Sequence, residues 1–63
     1  MTYNEARDYM INEVKKLMVL QFRRNLDTRY IQGQVVGMVK AFKATGVIPN
    51  DDRSILDTLL EMI

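Results

Sequence analysis

Sixty-three residues, 48% of them apolar and 27% charged, have the composition of one small folded domain and not of a disordered chain. The absence of both cysteine and histidine excludes disulfides, a structural zinc site, thiol nucleophiles and histidine acid–base chemistry. Net charge is only +1, but residues 1–46 carry eight Lys/Arg against four Asp/Glu, while residues 47–63 carry one against four. A basic body and an acidic end can attract each other, within the fold or between copies.

A chain of this length buries only ~60% of the surface its unfolded form exposes. With disulfides and zinc excluded, its stability must come from tight helix packing or from a second copy. Five methionines add adaptable apolar surface.

The first element begins at Thr2-Tyr3-Asn4-Glu5, a T-x-x-E capping box in which hydroxyl and carboxylate satisfy the free amides of a helix start. Tyr3, Ala6, Met10, Val14, Leu17 and Met18 then recur at three and four, the period of one buried helical face. Helix 1 is expected over about residues 2–24. Toward its end, Leu17-Met18-Val19-Leu20-Gln21-Phe22 spreads apolar side chains around most of the circumference, as in a helix contacted on several sides. A buried strand over KLMVLQF is the competing reading, and no Gly, Pro or Asn punctuates the chain there to favour it.

Asn25 is suited to end helix 1, and Asp27 or Thr28 to cap the next. So short a break predicts an antiparallel hairpin. Helix 2 is expected over about 28–45, closed by Gly46 in a left-handed conformation. Ile31, Val35, Met38, Val39 and Phe42 form its large apolar side; Tyr30, Gly33, Gly37, Ala41 and Ala44 mark a second, small-residue side. Two interior glycines weaken a helix by roughly 1 kcal/mol each relative to alanine. The small-residue side is therefore expected to receive a close helix crossing or a subunit contact.

Val47-Ile48-Pro49 reads as a short extended connector, with Pro49 disfavouring helical geometry at Ile48. Helix 3 is expected over about 51–63, capped by Asn50, with Ile55, Leu56, Leu59, Met62 and Ile63 inward. The expected fold is all-α: a single domain over 1–63, a helical hairpin plus a short C-terminal helix, completed by self-association. No apolar run is long enough to span a bilayer and the N-terminus lacks a signal-peptide pattern, so a cytoplasmic protein with no membrane partner is expected.

Function is read mainly by elimination. Phosphate-cradling glycine motifs are missing and Ser54 lacks the usual base, so the chain is read as a non-enzyme with no cofactor and no metal. Surplus apolar residues (Tyr9, Val19, Leu20, Phe22, Leu60, Ile63) point to a protein–protein interaction module: a small regulator, inhibitor or adaptor working through helix faces. Its expected partners are itself, as a homodimer, and a second, unidentified protein. The alternative is a nucleic-acid-binding regulator using Lys15, Lys16, Arg23, Arg24 and Arg29 near the hairpin turn. A helix-turn-helix reading of residues 40–60 fails, because Asp51 and Asp52 would open the recognition helix and repel phosphate.

Overall fold

The computed structural model describes all 63 residues as three helices: α1 (Tyr3–Arg24), α2 (Thr28–Ala44) and α3 (Ser54–Glu61). The capping box that opens α1 is complete. Glu5 N–H donates to Thr2 Oγ1 at 3.2 Å, and Thr2 N–H donates to Glu5 Oε1 at 3.0 Å. Asn25 closes α1 with φ of 54°, the left-handed conformation asparagine tolerates better than most residues. Asp27 then caps α2 by accepting from Arg29 N–H at 2.8 Å.

One apolar side of α2 organises the core. Ile31, Val35 and Val39 are essentially inaccessible and pack with Ala6, Met10 and Val14 of α1, Ile55 and Leu59 of α3, and Ile48 of the connector. These nine residues are the whole buried set, and none is polar. Met38, Phe42, Leu17, Leu26 and Leu56 seal its edges. Phe42 also meets Tyr9 edge-to-face, ring centroids 5.9 Å apart at 60°.

α3 departs from its expected span of 51–63. It opens at Ser54, and the residue that satisfies its first amides is Asp52 in place of Asn50: Asp52 Oδ1 accepts from Ser54 N–H at 2.9 Å and Ile55 N–H at 3.4 Å. The other carboxylate oxygen accepts from the Tyr3 hydroxyl at 2.7 Å. One aspartate therefore starts α3 and ties it to the first residue of α1. Both side chains sit in the intermediate range of exposure, so the bond is partly shielded from water.

The lengths decide the overall shape. At 1.5 Å per residue, α1 is about 33 Å long and α3 about 12 Å, while the molecule measures 34 × 18 × 17 Å. Anchored beside Tyr3, α3 cannot reach the turn between α1 and α2. One end of the molecule is three helices thick and the other two. The radius of gyration, 11.6 Å, exceeds the roughly 10.6 Å of a compact chain this long, in keeping with such a taper.

The Tyr3–Asp52 bond makes stability pH-dependent at both extremes. The hydroxyl holds the Asp52 carboxyl below its ordinary range, and the same bond, with partial burial, raises the Tyr3 phenol. A depressed carboxyl contributes stability that is complete above its unfolded pKa and is lost as pH falls through the folded one; a raised phenol contributes stability lost as pH rises through its folded value. Tyr3→Phe is expected to lower stability by roughly 1 kcal/mol near neutrality. Measured by urea unfolding across pH, the gap from the parent chain should shrink below about pH 4 and above about pH 10. A gap constant across pH would mean that the bond does not form in solution.

Candidate functional site

The turn end is held by hydrogen bonds where α3 does not cover it. Gln21 Nε2 donates to the Leu26 carbonyl at 3.3 Å and to Thr28 Oγ1 at 3.1 Å, bridging the two helices across the turn. Leu26 N–H donates back to the Gln21 carbonyl at 3.2 Å, and Leu26 packs against the core. The last turns of α1 are therefore ordered, although nothing lies over their outer side.

That outer side carries an exposed apolar face. Phe22 is 90% exposed, Val19 53% and Met18 37%, three residues within one turn of each other on α1. Single exposed apolar residues are ordinary; an almost fully solvated phenylalanine beside two more apolar side chains is a patch. Beside it lies the one depression on the surface, formed by Lys16, Val19, Leu20 and Arg23. These four recur at i, i+3, i+4 and i+7, which places them along one side of the helix. Apolar Val19 and Leu20 occupy the middle of this shallow depression, and cationic Lys16 and Arg23 its two ends along the helix.

All five candidate basic residues are exposed. Lys16 pairs with Glu13 at 3.3 Å and Arg29 with Asp27 at 3.5 Å. Exposed pairs of this kind are worth little. No carboxylate lies within ion-pairing distance of Lys15, Arg23 or Arg24. Arg23 and Arg24 have a structural use as well, since cations in a last turn interact favourably with the helix dipole. Lys15, mid-helix, has no such role.

Other expected contact residues fall elsewhere. Leu60 and Ile63 are half-buried against the core, because the short α3 turns its apolar side inward, so they are not presented to a partner. Tyr9 is 48% exposed but spends one edge on Phe42. Met18, expected in the buried stripe with Val14, is instead part of the exposed face. The spacing of Met18 fits the stripe, but beyond Val14 it is Leu17 that packs against the core, and Met18 falls at the edge of the buried side.

No helix of the same chain crosses the small-residue side of α2. Gly33, Gly37, Ala41 and Ala44 are all exposed, as is Tyr30, and a Cβ built on either glycine meets nothing within 4 Å. Both neighbouring helices pack on the opposite, large-residue side. The intrachain crossing expected at this stripe is thereby corrected: small residues permit a close approach but do not supply the approaching helix.

No protein-family model matches the chain, and no curated protein or solved structure is detectably similar to it. No helix is long and apolar enough to cross a membrane.

The open space at Gly37 gives a direct measurement. Gly37→Ala should raise unfolding stability by about 1 kcal/mol, the helix-propensity difference with no contact to offset it. Urea unfolding of the two chains at low micromolar concentration reads this difference. A loss of stability in the dilute, monomeric chain would mean that another part of the same chain covers the face; at concentrations where two copies associate through it, the added methyl should instead weaken the association.

Proposed function

We propose that this chain is a small, non-enzymatic protein–protein interaction module, a regulator, inhibitor or adaptor that engages another protein through the outer face of α1. The observation that carries the reading is Phe22, 90% exposed on an ordered helix and flanked by Val19 and Met18. Burying a phenylalanine side chain is worth roughly 1.5–3 kcal/mol. A module that uses Phe22 gains that energy on binding because its fold does not. The non-enzymatic part rests on composition and on Ser54, the one serine, whose hydroxyl donates to Asp52 Oδ1 at 2.9 Å as part of the α3 cap.

Homodimerisation through the small-residue side of α2 belongs to the same proposal. It would give the two helix-weakening glycines a packing use that they lack within the chain. The basic cluster also keeps nucleic acid as the second reading, with Lys15, Arg23 and Arg24 unpaired toward solvent.

A photo-crosslinking residue placed singly at positions 22, 34 and 58 in the native host separates these components. Position 22 should give a discrete adduct with another protein, and exposed position 58 on α3 none. Position 34, exposed beside the small-residue stripe and leaving its glycines in place, should give an adduct of twice the 7.4 kDa chain mass. Equal labelling from positions 22 and 58, or adducts to nucleic acid alone from position 22, would contradict the interaction-module reading; no doubled mass from position 34 would remove the homodimer.

A further inference from the structure

We infer that the occupant of the α1 face is an acidic amphipathic helix of another protein, seated with an apolar side chain over Val19 and Leu20 and its carboxylates against Lys15, Lys16 and Arg23. This rests on the interaction-module reading and goes further by fixing the partner's chemistry.

Charge complementarity selects the occupant. The apolar centre of Met18, Val19 and Phe22 is bordered by Lys15, Lys16 and Arg23, which stand three or four residues from Met18 or Val19 on the same side of the helix, and only Lys16 has a carboxylate neighbour, the intrachain Glu13. A partner must therefore be apolar in the middle and anionic at its edges. A second copy docking by the same face fails this condition, because a two-fold contact presents each subunit with the patch it already carries. The cations of one copy would then face the cationic patch of the other with no carboxylate between them, and like-charge juxtaposition across a desolvated contact disfavours wrong partners strongly.

Shape points the same way. The depression runs along α1 from Lys16 to Arg23, four residues on one side of a helix. An apolar middle with a cation at either end along one helix side fits the apolar side of another helix, whose anchors recur at i, i+3 or i+4, and i+7 and whose flanking carboxylates meet the two cations. The basic segment, residues 15–24, is about 15 Å long, so the contacting part of the partner is about three turns. Nucleic acid fits the centre poorly. Phosphates need donors where Met18 and Val19 present only apolar atoms.

Selection from a displayed library of amphipathic helices, with charge at the flanking positions randomised and the 63-residue chain as bait, tests the inference. Enriched helices should carry more Asp and Glu than the input. Their binding should weaken about tenfold or more on Phe22→Ser and, separately, on Arg23→Glu, and should weaken further as salt rises. Circular dichroism of both variants verifies that they remain folded, as exposed positions should. Enrichment of neutral or basic helices that still require Phe22 would overturn the charge assignment and leave the interaction module standing. Absence of any helix that prefers the parent bait over Phe22→Ser would overturn both. Single-stranded oligonucleotides and anionic phosphatidylserine vesicles complete the comparison. Tighter Phe22-dependent binding to either than to every selected helix would reassign the face to that ligand.

Discussion

The fold depends on the packing of one side of α2. Ile31, Val35 and Val39 are the residues against which both neighbours close, and they lie on a helix whose opposite side touches nothing in the chain. An eight-residue helix such as α3 is far below the length that holds in water by itself. It persists because Ile55 and Leu59 are buried in this seam and because Asp52 fixes its start. With only nine buried residues, each carries a large share of the stability. Truncating one large aliphatic side chain costs about 2–5 kcal/mol, against a total of roughly 3–9 kcal/mol for a chain of this size.

A one-sided seam and a short third helix together leave surface behind. Near Tyr3 three helices close on the core and Asp52 clasps two of them. Beyond the reach of α3, Gln21, Leu26 and Asp27 keep the two-helix end in register without covering it. The helix is therefore held at its end where it is not buried, and an apolar face stays exposed to water. The same end holds Arg23, Arg24 and Arg29, with Lys15 and Lys16 extending the basic surface back to the middle of α1, whereas the acids of residues 47–63 travel with α3 and its connector. The tapered shape thus separates a basic, partly apolar end from the acidic segment.

The features legible in the sequence were those set by local chemistry. Thr2 with Glu5, Asn25, Asp27 and Gly46 each act on amides or carbonyls within a few residues, and each does so where the pattern of side chains predicts. The three-helix, all-α class followed from those stops and from the spacing of the apolar residues. What escaped depends on partners distant in sequence. Tyr3 and Asp52 are 49 residues apart, and no spacing rule joins them. Met18 fits the buried period of α1, yet only the packed structure decides that Leu17 makes the core contact there while Met18 meets water. The small residues of α2 raised the opposite problem: their spacing advertises a close contact whether or not any helix arrives. Leu60 and Ile63 looked surplus when counted singly, yet the edges of a small core use them.

The central claim is that the fold does not need Phe22. Equilibrium urea unfolding of Phe22→Ser against the parent chain measures this directly. An unchanged midpoint and an unchanged slope, within the roughly ±0.5 kcal/mol typical of surface substitutions, are the predicted result. A loss of about 2 kcal/mol or more, the scale of a buried side chain, would show that Phe22 packs inside the protein in solution and that the exposed face of α1 does not exist.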